Sequence, residues 1–256
     1  MKHIFIANPA AGHTSSVGLI RQEVLKLSGR YDCFIHETLS PGEATRFVRH
    51  YCEENPNENV RFYACGGDGT LNEVMSGVIG FQNASISCYP CGSGNDFVKY
   101  YGTERFLSIP ALLAAEEREI DILTDGERYS MNVANFGFDY AVCRTMTKIK
   151  RRPLMGGKNG YYAGVCYSLF TSMNNKAKVY VDGKKLGEGD SLLLCTVSNG
   201  SYVGGSYRCA PRSDNEDGLL EVCLFKPVSV AKFLGLMNSY TMGTHLAATR
   251  FAGIMR

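Results

Sequence analysis

The chain has 256 residues, 45% of them hydrophobic and 20% charged, with a formal net charge of +2. That composition is globular and excludes a disordered chain, and so small a positive excess gives no general reason to expect nucleic acid as a partner. The length allows one large domain or two modest ones, of which two are favoured.

In chain order, Ile4-Phe5-Ile6-Ala7 reads as a short buried strand that breaks at Asn8-Pro9-Ala10-Ala11-Gly12. Ile20, Val24 and Leu27 then recur at helical spacing, and a second strand runs from Tyr31 to His36. A helix fits Glu43 to Glu54, with Phe47, Val48 and Tyr51 on one face. The strand Val60 to Cys65 empties into Gly66-Gly67-Asp68-Gly69-Thr70, and a helix follows over Leu71 to Ile79. Another strand, Ser85 to Tyr89, ends at Pro90-Cys91-Gly92-Ser93-Gly94-Asn95-Asp96-Phe97, before a helix over Pro110 to Glu117. Such alternation predicts an α/β domain, a parallel sheet with helices on both faces, whose ligands gather at the carboxyl ends of the strands.

The pattern changes near residue 120. Ile120-Asp121-Ile122-Leu123, the Asp125-Gly126 turn and Tyr129 to Val133 read as a hairpin, because an Asp-Gly pair tolerates positive φ. Lys178 to Val181, Asp182-Gly183, Ser191 to Val197 and Gly218 to Phe225 predict a mostly antiparallel, β-rich second domain, with helical stretches at Asp139 to Ile149 and Tyr161 to Ser172. The boundary is placed so that residues 1–123 form the first domain and 124–256 the second.

No apolar run approaches the roughly 20 residues of a transmembrane helix. Met1-Lys2-His3-Ile4 enters a strand instead of a signal peptide, so a cytoplasmic protein touching membrane only peripherally is expected. The ten cysteines are irregularly spaced and read as reduced thiols, and Cys88-Tyr89-Pro90-Cys91 is half a zinc site at best. The basic cluster Lys148, Lys150, Arg151 and Arg152 reads first as a solvated helix end and second as a contact for anionic lipid headgroups.

A strand that runs into a glycine turn and then a helix points unpaired N–H groups at one spot, which suits a phosphate. One such turn is weak evidence; here three fall at the same edge of one predicted sheet. Together, Asn-Pro-x-x-Gly at Asn8, Gly-Gly-Asp-Gly-Thr-x-Asn-Glu at Gly66 and Pro-x-Gly-Ser-Gly-Asn-Asp-Phe at Pro90 resemble the diacylglycerol kinase catalytic-domain family, which includes bacterial lipid kinases and the sphingosine kinases. NAD kinases and phosphofructokinases share the second motif, whereas the third is the lipid-kinase version. The resemblance continues through Asn132 to Asp139 and Asp217-Gly218-Leu219-Leu220.

The resemblance implies an ATP-binding α/β domain followed by a β-rich domain, with nucleotide contacts from Asn8, Thr38, Gly66, Gly67, Asp68, Gly69, Thr70, Asn72, Ser93 and Asn95. Glycines let backbone approach phosphate, Thr70 is placed as an N-cap, and Ser93 as a hydroxyl donor. Asp68 cannot bind phosphate directly, since two anions repel. In the resembling family it and the match to Asp121 position the catalytic Mg²⁺ through water. A turn-forming Asp68 and a strand-end Asp121 are the alternatives. The same resemblance implies a structural Mg²⁺ held by the Asp217 side chain and backbone carbonyls near Asp214 and Leu219, against a plain Asp-Gly turn.

Phosphoryl transfer to an alcohol needs a base, which the family supplies as the glutamate of an Asp-Gly-Glu turn near its C-terminus. Before Arg256 no counterpart occurs there, and Asp125-Gly126-Glu127 has the same letters inside the first hairpin, so Glu127 is read as a turn residue and the chain as a truncated kinase. The expected function is an ATP- and Mg²⁺-dependent lipid kinase acting on diacylglycerol or a related lipid. The alternatives are an NAD kinase-like enzyme of a soluble alcohol and a catalytically inactive nucleotide-binding module. Expected partners are ATP, a membrane lipid and a second copy of the chain.

Overall fold

Four strands, β1 (Lys2–Ala7), β2 (Cys33–Glu37), β3 (Val60–Gly66) and β4 (Ala84–Pro90), run parallel in the order β2-β1-β3-β4. This is seen in a computed structural model of the chain, which describes residues 1–11, 15–149, 158–247 and 252–255. The chain forms two compact units, Met1–Met131 with Gly204–Ser206, and Asn132–Val203 with Tyr207–Arg256.

β3 is buried along its whole length, and strand alternation sends its side chains into two cores. Ile4, Ile6, Phe62 and Ala64 pack with Val48 of α2 (Glu43–Glu54) and with Leu71 and Val74 of α3 (Asp68–Val78). Phe5, Ala7, Tyr63 and Cys65 pack on the other face. There they meet Ile20 and Val24 of α1 (Ser15–Leu27), and Leu112 of α5 (Ile109–Ala114), which follows the short α4 (Asp96–Tyr101). Cys88 belongs to the first core and Cys91 packs against the second, so the two sulfurs of the C-x-x-C face opposite sides of the sheet.

α5 stops before the expected Glu117, because Arg61 takes the carbonyls of Leu112 and Ala115 at 3.2 and 2.9 Å and the Glu117 carboxylate at 3.0 Å. The strand expected over Ile120 to Leu123 is also shorter: only β5 (Leu123–Thr124) pairs with β6 (Tyr129–Ser130). Ile120 and Ile122 pack against the first core, and Asp121 between them precedes the strand.

The second unit continues through β7 (Val133–Gly137), α6 (Phe138–Ile149), α7 (Lys158–Thr171), β8 (Asn175–Lys176), β9 (Val179–Val181), β10 (Lys184–Leu186), β11 (Ser191–Leu192), β12 (Leu194–Ser198), β13 (Glu221–Phe225), α8 (Val230–Met242) and β14 (Ala252–Met255). Its main sheet is antiparallel in the order β14-β13-β12-β7. Cys223 and Phe225 join Phe138, Val142 and Phe233 on the helical side, while Val222 and Leu224 join Leu186 and Leu192 on the other. Asp182 and Gly183 have φ of 49° and 76°, the positive values that a two-residue turn between β9 and β10 demands. The expected β-rich, antiparallel second domain is therefore present.

Candidate active site

The connection from β1 leads to β2 on one side, and that from β3 leads to β4 on the other, so strand order reverses between β1 and β3. At such a reversal the loops part and leave a crevice at the carboxyl ends. A cavity of about 1010 Å³ lies there, lined by residues 8–11, 38–41, 67–70 and 91–94, with Ala44 and Glu73.

Asn8 spans the crevice. Its Oδ1 accepts from the Ala10 N–H at 3.0 Å, shaping its own turn, and its Nδ2 donates to Thr70 Oγ1 at 3.0 Å. Thr70 is thus inside α3, 7% exposed and occupied by Asn8; the cap position belongs to Gly67, which makes no side-chain cap. This corrects the reading of Thr70 as an N-cap. With no side chain capping it, the first turn of α3 keeps N–H groups that lack intrahelical acceptors, and residues 68–70 carry them at the cavity wall. Thr38 is tied to the end of β1, its N–H donating to Ala7 O at 2.9 Å.

The second and third turns stack backbone on backbone. Cys91 N–H donates to Gly66 O at 2.8 Å, and a Cβ on Gly92 would stand 2.4 Å from the Gly67 Cα. Neither Gly67 nor Gly69 has positive φ; what glycine supplies in these turns is space. Asn95 does adopt positive φ, 52°, and binds Gly92 twice, accepting its N–H at 3.0 Å and donating to its carbonyl at 2.7 Å. Its side chain therefore shapes the turn. Ser93 is exposed at the cavity.

Asp68 opens α3, and its Oδ1 accepts from the N–H groups of Asp96 (2.6 Å) and Phe97 (3.3 Å) at the start of α4. Burial, then the Asp96 carboxylate, push its pKa up, and backbone donors from residues 95–97 oppose the shift. Oδ2 faces Gly94, where a Cβ would lie 2.8 Å away, so the absent side chain leaves that oxygen room. Asp121, Asn72 and Gly66 do not line the cavity. A second cavity of about 720 Å³, against β4 and the first core, is lined by Met75, Phe97, Tyr101 and Ile122 among others and includes no residue of the first two turns.

Residues 2–125 match the family model of the diacylglycerol kinase catalytic domain, and residues 132–253 that of the YegS C-terminal NAD kinase beta sandwich-like domain. The chain belongs to the diacylglycerol kinase catalytic-domain family. It is a kinase. A diacylglycerol kinase of Bacillus subtilis is 27% identical over 247 residues, covering 94% of this chain and 79% of that protein. A Chromohalobacter salexigens protein named "Probable lipid kinase YegS-like" is 27% identical over 201 residues, 75% of this chain and 61% of its own length. Among solved structures, that of a Bacillus anthracis diacylglycerol kinase has a TM-score of 0.65 at 23% identity, covering 91% of this chain and 79% of that one. That likeness shows the fold.

Two residues of this kinase's motifs join the site without having been assigned to it from sequence. Glu73 lines the cavity and accepts the Gly42 N–H at 2.9 Å. Asp96, 8% exposed, accepts the Gly205 N–H with both oxygens, at 2.9 and 3.1 Å. Both lie inside the motifs; their tertiary contacts, Glu73 with Gly42 and Asp96 with Gly205, were illegible.

In the second unit, Asp214 Oδ1 accepts the Glu216 N–H at 3.1 Å and Asp217 Oδ1 accepts the Leu219 N–H at 3.0 Å, two Asx turns in succession. Asp214, Asp217 and Leu219 are exposed, and Gly218 has φ of 72°. Among the described residues, no group of three or more His, Cys, Asp or Glu side chains is placed to hold a metal. In the first unit, Glu127 sits exposed in the β5–β6 turn, where Asp125 accepts the N–H groups of Glu127 and Arg128 at 3.1 and 2.8 Å. Gly12 and residues 150–152 of the basic cluster lie outside the described residues. Among those described, no helix is long and apolar enough to cross a membrane.

Proposed function

We propose that the chain is an ATP- and Mg²⁺-dependent lipid kinase that transfers the γ-phosphoryl group to the hydroxyl of diacylglycerol or a related lipid alcohol. The observation that carries this reading is the Asp68 carboxylate, half-buried where glycine turns after β3 and β4 stack at the mouth of a cavity on the carboxyl edge. The first unit would bind ATP and the second contribute to the lipid site.

Each residue has a task that its geometry suits. The open N–H groups of α3 and the side-chain-free surfaces of Gly67 and Gly69 bind phosphate oxygens. Thr38 and Ser93 face the same cavity and offer hydroxyl contacts. Asn8, Asn95 and Gly92 hold the three turns in register. Asp68 orients the phosphate end of the nucleotide through Oδ2, its Oδ1 being fixed by two N–H donors. One carboxylate oxygen with space around it suits Mg²⁺, which keeps several waters and takes one or two carboxylates beside substrate phosphates. Bound there, the ion would neutralise charge that develops on the transferring phosphoryl group. Asp121 remains the second carboxylate of this reading, and Asp217 with the carbonyls near Asp214 and Leu219 the structural Mg²⁺ site.

Membrane contact is part of the same reading. Phe170 and Tyr167 on α7 are 89% and 58% exposed, and Lys148 on α6 is exposed as well. An aromatic, basic surface suits an anionic bilayer. A homodimer is also proposed, and sedimentation would measure it.

The test is transfer from radiolabelled ATP to dioleoylglycerol in mixed micelles, with NAD as the competing soluble acceptor and Asp68→Asn as control. Labelled lipid with Mg²⁺, lost in Asp68→Asn, is the expected result. Label in NAD alone, or in neither acceptor, would overturn the lipid-kinase reading.

A further inference from the structure

Lys99 lies one turn into α4 and has no task in the reading above. Its ammonium donates to three oxygens: Gly94 O at 2.7 Å, Asp96 Oδ1 at 2.9 Å and Gly205 O at 2.5 Å. Three acceptors satisfy all that an ammonium can donate. Its partner Asp96 takes the Gly205 N–H, so Gly205 is gripped at both its N–H and its carbonyl. Gly204–Ser206 belongs to the first unit although the chain on either side of it belongs to the second.

The same knot reaches Asp68. Gly94, whose carbonyl Lys99 holds, is the residue whose missing Cβ leaves room beside Asp68 Oδ2, and the Asp96 N–H is the donor 2.6 Å from Asp68 Oδ1. Side-chain exposures of 24% for Lys99 and 10% for Asp96 keep the pair partly shielded from water and salt. Lys99 thus supplies a cation to Asp96, the carboxylate whose charge repels that of Asp68.

We propose that Lys99 is a positioning residue for phosphoryl transfer, clamping the turn at Gly94 and the segment at Gly205 so that Asp68 keeps its orientation toward the cavity. This role rests on the reading of Asp68 as the residue that orients the nucleotide phosphates. It does not place Lys99 on the substrate. A misplaced carboxylate lowers turnover more than it lowers ATP binding, because the phosphate-binding N–H groups stay where they are.

The experiment compares wild type with Lys99→Met and Lys99→Arg by hydrogen exchange and kinetics, with Lys99→Gln replacing Lys99→Met if that variant fails to fold. In Lys99→Met, exchange should rise roughly tenfold in peptides covering residues 92–97 and 204–206 and stay unchanged in β1 and β3, because only the local tie is lost. The kcat should fall ten- to a hundredfold with KM for ATP within about twofold, and Lys99→Arg should recover most of both. Exchange that is unaltered at both peptides, or a kcat at the wild-type value, would overturn the clamp. If wild type itself transfers no phosphate, the lipid-kinase reading fails while the exchange data still decide whether Lys99 holds the knot.

Discussion

Asn8 Nδ2 and Thr70 Oγ1 lie 3.0 Å apart, joining the loop after β1 to the first turn of α3 across the point where strand order reverses. That bond fixes the spacing of the two lips of the cavity. Thr70→Val keeps the volume but leaves the Asn8 amide without this acceptor, so ATP should bind roughly fivefold more weakly, the effect of about 1 kcal/mol for one lost hydrogen bond. Calorimetric titration of a folded variant checks it, and unchanged affinity would remove the bond from the site.

Gly92 and Gly69 should fail in different ways. A Cβ on Gly92 would collide with the Gly67 Cα at 2.4 Å, a backbone contact that cannot yield, so Gly92→Ala should lose several kcal/mol of stability, on the order of other overpacked sites. Gly69 has nothing within 4 Å of its would-be Cβ, so Gly69→Ala should fold normally and lose only phosphate affinity. Urea unfolding together with ATP titration separates the two outcomes; a stable Gly92→Ala protein would deny the stacking of the turns.

Asp139 predicts a pH dependence of stability. Burial raises its pKa to about 6, and the Tyr240 hydroxyl, donating at 3.3 Å, only partly opposes the shift. A carboxyl raised in the folded state binds its proton more tightly there than in the unfolded chain. Stability from this group is complete below the ordinary Asp range, and it is lost as pH rises to about 6. Asp139→Asn should therefore match wild type at acid pH and exceed it at pH 7, by as much as about 3 kcal/mol. Equal midpoints at both pH values would show that Asp139 is not so buried.

For the loop at Asp217, ligand linkage gives the test. A bound ion stabilises the folded state with the logarithm of its concentration, so the melting temperature should rise with Mg²⁺ in wild type and not in Asp217→Ala. Identical melting of wild type in Mg²⁺ and in chelator would leave two Asx turns and no metal site.

The legible part of the fold was periodic. Glu43 to Glu54 formed a helix at the expected bounds because Val48 and its neighbours repeat at helical spacing against a buried sheet, and β1, β3 and β4 followed their apolar runs. What the sequence hid was set by single long-range contacts. Arg61, distant in sequence, ends α5 by capturing its carbonyls, and packing of Ile120 and Ile122 on the core draws Asp121 out of a strand. At the site, motif letters put Asp68 in the glycine turn after β3, yet gave Thr70 the cap position, which belongs to Gly67. Lys99 and Gly205 had no local signal, since their meaning lies in a contact between residues 106 apart in the chain.

The cavity at the carboxyl edge of β1 and β3 is where nucleotide is expected to bind. The most direct measurement is photolabelling with 8-azido-ATP, followed by peptide mapping, with excess ATP as competitor. ATP-protectable label is expected on peptides covering residues 8–11, 38–44, 67–73 or 91–94, which carry the residues that line that cavity. Protectable label confined to residues 111–122, beside the cavity against β4, would contradict it.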